Sequence, residues 1–135
     1  MFARSKTPSE NASTTNKTIL LVEDDIDLSD CIVAAIETVT SYDVILVPDG
    51  FEALKIAGTL KPDLFVLDYH LPNMDGLELY ERLHTTRGLE AVPTLFLTAY
   101  PFSLAIRGRK IISLKKPFEF DELLQVIREL LIDTP

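Results

Sequence analysis

From Thr18 onward, short apolar runs alternate with longer stretches in which apolar residues recur at helical spacing. That alternation predicts βα units around a parallel sheet buried on both faces, because such strands read as continuous Val, Ile, Leu and Phe. Five strand runs are legible: Thr18 to Glu23, Tyr42 to Val47, Asp63 to Asp68, Val92 to Leu97 and Lys110 to Lys115. Helical patterns cover Leu28 to Val39, Phe51 to Leu60, Leu77 to Thr86 and Phe120 to Ile132. Asp27, Asp49, Asp75 and Glu119 precede or open these helices, where a carboxylate accepts from free backbone N–H groups and meets the helix dipole favourably. Pro62 and Pro93 mark the return to strand.

One crossover departs from the pattern. Between the fourth and fifth strands, Tyr100 to Arg109 contains Pro101 and Gly108 and leaves only Phe102 to Arg107 for a short fourth helix. Right-handed crossovers would place helices on both sides of the sheet, and ligands of such sheets bind beyond the carboxyl ends of the strands.

The chain has 135 residues, the size of one ordinary domain, here 18–133 behind a tail, 1–17, rich in Ser, Thr and Asn. The tail is expected to be flexible, and nothing in it resembles the apolar core of a secretory signal. A formal charge of −8 argues against binding a nucleic-acid backbone, and no apolar run approaches the roughly 20 residues of a membrane span. The expectation is a cytoplasmic protein. Cys31, the single cysteine, lies among Ile32, Val33, Ala34 and Ala35 and reads as a small buried hydrophobe. His84 occupies a polar helix position and reads as a solvated surface residue.

The chemistry-bearing residues gather at strand ends. The first strand finishes in Glu23-Asp24-Asp25, the third in Asp68, the fourth in Thr98 and the fifth in Lys115-Lys116, whereas the second ends in Val47-Pro48 with no such group. With the first and third strands adjacent at the centre, Glu23, Asp24 and Asp68 would converge. Like charges at about 4 Å repel by roughly 4 kcal/mol at an effective dielectric near 20, so the cluster needs a raised pKa, a cation, or both. Oxygen donors without a Cys or His cluster suit Mg²⁺, with Mn²⁺ as a substitute. A Lys and a Thr at the same place imply that phosphoryl oxygens arrive there. No Gly-rich phosphate loop is present, which leaves a carboxylate of the protein itself as acceptor. Taken singly, each of these residues reads as a helix cap or a surface charge; four strand ends carrying the required groups together favour a site.

At these residues the sequence resembles the receiver domains of two-component response regulators, from about Thr18 to Ile132. Ile19 to Asp25 is similar to the family's opening strand and acidic pair, and Val66 to Gly76 to its phosphoacceptor segment. Leu97-Thr98-Ala99 and Lys116-Pro117-Phe118 resemble its two remaining signatures, in the family's order. The resemblance implies a flavodoxin-like (βα)₅ doubly wound sheet with strand order 2-1-3-4-5. It implies Asp68 as phosphoacceptor, Mg²⁺ on Glu23, Asp24, Asp68 and the backbone carbonyl of His70, Thr98 and Lys116 on phosphoryl oxygens, and a cis Lys116-Pro117 bond. The implied donor is a sensor histidine kinase or histidine phosphotransfer protein. The protein would then serve as a relay, a sink or a switch for a downstream docking partner.

Two departures concern output. Ser113 stands where most receivers carry an aromatic residue, and the fourth crossover is about one helical turn short. With Pro93 and Phe96-Leu97-Thr98-Ala99-Tyr100, these resemble the single-domain subgroup marked by a Phe-Ala-Thr-Gly-(Gly or Tyr) motif, in which Tyr100 and His70 would control the access of water to the phosphoryl group. Two readings compete: a pseudo-receiver acting only as a docking module, and an aspartyl-nucleophile phosphatase, which would need a cap over its substrate.

Overall fold

The computed structural model describes residues 16–100 and 111–132. Five parallel strands, β1 (Thr18–Val22), β2 (Asp43–Val47), β3 (Leu64–Asp68), β4 (Thr94–Thr98) and β5 (Ile111–Lys115), form one sheet in the order β2-β1-β3-β4-β5. The helices are α1 (Ile26–Val39), α2 (Gly50–Leu60), α3 (Gly76–His84) and α4 (Phe120–Ile132). This is the flavodoxin-like order expected from the sequence. The tail up to residue 15, the short helix expected at Phe102 to Arg107 and Lys110 lie outside the described residues. No helix among the described residues is long and apolar enough to cross a membrane.

The continuous apolar runs are explained by two cores, one on each face of the sheet. Successive side chains on a strand point to opposite faces. Ile19, Leu21, Leu64, Val66, Leu95 and Leu97 therefore pack with Ile32 and Ile36 of α1 and with Leu123, Ile127 and Leu130 of α4. Leu20, Val22, Phe65, Leu67 and Phe96 pack with Ala53 and Ala57 of α2 and with Leu79, Tyr80 and Leu83 of α3. Each fully buried large aliphatic or aromatic side chain stabilises by roughly 1.5–3 kcal/mol. A shift of one residue in register would exchange the two faces, so the pattern pins each strand.

Helix starts are set by carboxylates. Asp49 accepts from the N–H of Glu52 at 2.9 Å and Asp75 from that of Glu78 at 2.8 Å. In α1 the cap is Asp25, accepting from Leu28 N–H at 3.1 Å, and Asp27 sits inside the first turn rather than before it. The acidic run after β1 thus both ends the strand and starts the helix.

Two expectations are corrected. Cys31 is exposed, because the buried stripe of α1 runs through Ser29, Ile32 and Ile36 and leaves position 31 on the outer flank. His84 is 1 % exposed rather than solvated. It continues the buried stripe Gly76, Leu79, Tyr80, Leu83 at the spacing of one turn from Tyr80. Its ring nitrogens lie 2.8 Å from the Tyr80 carbonyl and 2.7 Å from the Val92 carbonyl, so it ties the last turn of α3 to the segment leading into β4. Its ring also packs against Tyr80 and Phe65.

Candidate functional site

The carboxyl ends of β1, β3, β4 and β5 bring the sequence-derived candidates to one cleft. Carboxylate oxygens of Glu23, Asp24 and Asp68 lie within 4.8 Å of one another. Glu23 and Asp68 are 2 % and 5 % exposed, whereas Asp24 is exposed. The ammonium of Lys116 sits between the two buried acids, 3.3 Å from Glu23 Oε1 and 3.3 Å from Asp68 Oδ1. The Lys116-Pro117 peptide is cis.

Backbone bonds fix each group. Glu23 donates its N–H to Val47 O at 3.2 Å, and its Oε2 accepts from Asp25 N–H at 3.2 Å. Asp68 Oδ1 accepts from His70 N–H at 3.1 Å. Lys116 N–H donates to Thr98 O at 2.7 Å, which locks the end of β5 onto that of β4. Thr98 Oγ1 accepts from Tyr100 N–H at 3.1 Å and donates its own proton to the Tyr100 carbonyl at a long 3.5 Å. Its hydroxyl is therefore weakly committed and able to donate to an incoming oxygen. The Tyr100 side chain is 78 % exposed and His70 is exposed, two residues after Thr98 and Asp68 respectively. Ser113 is half-buried on β5 and lies in register with the buried Phe96 of β4.

The electrostatics are those of an acid cluster short of positive charge. Burial pushes the Glu23 carboxyl up to about 7, the Asp68 carboxylate adds to the rise, and Lys116 and the Asp25 N–H pull in the opposite direction. Burial opposes the charged form of Lys116, yet the neighbouring Glu23 and Asp68 carboxylates outweigh it and hold the ammonium above its ordinary value. Lys116 is therefore a permanent cation, and Glu23 is the member that yields. Because its folded value lies above the unfolded 4.5, Glu23 favours the metal-free fold most below about pH 4.5, and that contribution declines until the pH passes about 7.

Sequence reading alone passed over Gly76. Its N–H donates to Tyr69 O at 2.8 Å, and a Cβ there would lie 2.8 Å from Tyr69 Cα, 3.0 Å from Asp68 O and 3.1 Å from Phe96 Cε1. Two of those neighbours are backbone and cannot turn aside. The glycine lets the start of α3 press directly on the strand end that carries Asp68, and the Met-Asp-Gly run is its only signal in the sequence. Gly76→Ala is expected to destabilise the fold by about 1–3 kcal/mol, the usual scale of overpacking, as measured by urea denaturation.

A sequence model of the response regulator receiver domain matches residues 19–128. The chain belongs to the response regulator receiver domain family. Among relatives, this receiver domain is 35% identical over 117 residues to the DNA-binding dual master transcriptional regulator RpaA of Synechocystis sp. (strain ATCC 27184 / PCC 6803 / Kazusa), covering 84% of this chain and 48% of that protein. It is 44% identical over 84 residues to the alkaline phosphatase synthesis transcriptional regulatory protein PhoP of Bacillus subtilis (strain 168), covering 62% of this chain and 34% of that protein. The chain thus spans about half, or less, of the length of these relatives. The receiver domain of sensor histidine kinase PA1611 from Pseudomonas aeruginosa PAO1, solved with a magnesium ion coordinated in its active-site cleft, superposes with a TM-score of 0.75 at 27% identity, over 88% of this chain and 100% of that one. Chemotaxis response regulator CheY4 of Vibrio cholerae gives 0.77 at 26% identity, over 87% and 100%. Receiver domains bind Mg²⁺ at an acidic pocket, and this receiver domain has an acidic cluster, Glu23, Asp24 and Asp68, at the carboxyl ends of β1 and β3.

Proposed function

We propose that this receiver domain accepts a phosphoryl group on Asp68 from the phosphohistidine of a sensor histidine kinase or histidine phosphotransfer protein, acting in the cytoplasm as a relay, sink or docking switch. The observation that carries the reading is Lys116 lying 3.3 Å from both Glu23 and Asp68, a cation already in place where phosphoryl charge would develop. Glu23, Asp24, Asp68 and the His70 carbonyl would hold Mg²⁺. When bound, the ion supplies charge neutralisation for the phosphoryl oxygens and for the crowded carboxylates. The donor set fits: three hard oxygen ligands share one cleft, and one of them, Glu23, is pushed up to about 7 by burial and by the Asp68 charge, a crowding that a cation would relieve.

The protein's own residues do the rest. Asp68 Oδ1 is held by His70 N–H and Lys116, which leaves Oδ2 to attack phosphorus. The new P–O bond forms as the P–N bond of the donor histidine breaks, and the released imidazole nitrogen is protonated by solvent. Thr98 Oγ1 donates to one phosphoryl oxygen and Lys116 to another. The reverse fate, hydrolysis of the acyl phosphate, needs water to reach the cleft, and the proposed modulators of that access are His70 and Tyr100, both exposed and each two residues from a cleft residue. With Ser113 at the aromatic position and Tyr100 after Thr98-Ala99, the single-domain subgroup named above is the proposed setting. An acidic cluster whose cation and hydroxyl are already placed argues against a docking-only role.

The test is intact-mass analysis after incubation with acetyl phosphate or phosphoramidate, with and without Mg²⁺. A Mg²⁺-dependent adduct of one phosphate mapped to the peptide containing Asp68 supports the proposal. No adduct from these donors or from a phosphorylated kinase, in protein shown to be folded, would sink it. A companion measurement uses Glu23. Since a proton and the metal compete for it, Mg²⁺ affinity is expected to fall by about tenfold between pH 8 and pH 6, as its value near 7 dictates. Calorimetric titration at the two pH values, with an unchanged dissociation constant as the contrary result, checks the sign.

A further inference from the structure

β2 is the one strand that brings no chemical group to the cleft, yet its junction with α2 touches both walls of it. On one side, Val47 O accepts the N–H of Glu23 at 3.2 Å. Three residues later Gly50 opens α2, held by Asp49 capping Glu52 N–H at 2.9 Å. A Cβ on Gly50 would lie 2.9 Å from Met74 Sδ, 3.5 Å from Met74 Cβ and 3.5 Å from Leu79 Cδ1. Met74 thus fills the space that a side chain at position 50 would occupy.

Met74 belongs to the loop that follows the acceptor. In that loop His70, Pro72, Asn73 and Asp75 are exposed, while Leu71 and Met74 are 8 % and 3 % exposed. Asn73 takes a left-handed conformation with φ 69°, and Met74 N–H closes back on Pro72 O at 2.8 Å, which turns the thioether inward onto α2. The loop is held by His70 N–H on Asp68 Oδ1, Gly76 N–H on Tyr69 O, Tyr69 N–H on Leu97 O of β4, and Met74 on Gly50. The contact of Met74 with Gly50 ties it to α2, whose preceding strand β2 accepts the Glu23 N–H.

We propose that the β2–α2 junction buttresses the acceptor loop beside the metal site, with Met74 and Gly50 as positioning residues that hold the His70 carbonyl toward the side of the cleft where Glu23 is tied to Val47, while the β1–β3 ladder sets Glu23 relative to Asp68. The inference rests on the Mg²⁺ reading of the cleft given above. Neither residue touches the metal or the phosphoryl group; they act by holding the His70 carbonyl in reach of the carboxylates that follow β1, and supporting groups of this kind commonly alter metal affinity by about 10–100-fold.

The experiment measures the Mg²⁺ dissociation constant by isothermal titration calorimetry on the full chain, together with thermal melts with and without Mg²⁺. The proteins are wild type, Met74→Ala, Gly50→Ala and the double variant. Truncation of Met74 is expected to weaken Mg²⁺ binding by about tenfold and to shrink the Mg²⁺-induced rise in melting temperature, because the cavity lets the loop drift. In the double variant the methyl added at position 50 refills part of the vacated volume, so it should bind Mg²⁺ more tightly than Met74→Ala alone. A purely structural Met74 would instead lower the melting temperature and leave the dissociation constant at its wild-type value, which would overturn the inference, as would a double variant no tighter than the single. Should Met74→Ala not fold, Gly50→Ala reads the same contact in a filled core: its methyl displaces the thioether, and severalfold weaker binding is expected, with unchanged binding as the contrary result. A wild type that binds no Mg²⁺ would sink the metal reading and this inference together, whereas wild-type binding unmoved by the variants sinks the inference alone.

Discussion

Asp68→Asn is expected to show no phosphoryl adduct under any condition in which the wild type is labelled. An amide nitrogen or oxygen is too poor a nucleophile to replace the carboxylate, and no neighbour is placed to substitute. Glu23 is 2 % exposed and has Oε1 on Lys116 and Oε2 on Asp25 N–H, so neither oxygen is presented to a donor. Asp24 is exposed, but Lys116 spans Glu23 and Asp68 and offers Asp24 no matching charge stabilisation. The variant should also bind Mg²⁺ more weakly by about an order of magnitude, since one of three anionic ligands becomes neutral. It should relax Glu23 toward its ordinary value, because the Asp68 charge is the second cause of its rise after burial. Intact mass, calorimetry and the pH dependence of Mg²⁺ binding read these three effects separately. Labelling retained in Asp68→Asn would relocate the acceptor and overturn the proposed roles.

Lys116→Ala is expected to slow labelling of Asp68 by about 10²–10³-fold, the usual consequence of removing one preorganised donor from a site of developing charge. It should also destabilise the fold. Glu23 and Asp68 would then face each other with their shared cation gone, and breaking a buried ion pair by removing one partner costs about 3–5 kcal/mol. Lys116 is 26% exposed on its side chain, so water screens part of that, and about 1–3 kcal/mol is the expected loss. Mg²⁺ should restore much of the stability and little of the rate, because the ion replaces the missing charge among the carboxylates but cannot supply the Lys hydrogen bond to the phosphoryl group. A variant whose rate and stability recover together on adding Mg²⁺ would show that Lys116 contributes charge alone.

Most of the candidate cleft is legible in the sequence, and for a physical reason. In a doubly wound parallel sheet every strand delivers its last residue to the same edge, so strand order and strand ends together nearly specify the cleft. By that rule Glu23, Asp24, Asp68, Thr98 and Lys116 fall together, and the structure brings them to one cleft. His84 and Cys31 were misread because helical phase, not local polarity, decides burial: His84 shares a stripe with Tyr80 and Leu83, and Cys31 falls outside the stripe of Ile32 and Ile36. The true cap of α1 was missed because Asp25 and Asp27 are chemically alike, and only backbone conformation tells which one faces Leu28 N–H.

The sequence by itself therefore determined the βα alternation, the two-faced burial of the sheet, the gathering of acidic, Thr and Lys residues at the strand ends and the family to which the chain belongs. These are properties of periodicity and of residue type at defined offsets, and they are local. Tertiary structure alone decided that Lys116 lies equidistant from two buried acids, that burial pushes Glu23 up to about 7, that a Cβ at Gly76 would press on the backbone of Asp68 and Tyr69, and that one at Gly50 would meet Met74 Sδ. Those facts depend on distances between segments far apart in the chain, set by how two cores pack against one sheet, and no pattern within a segment encodes them.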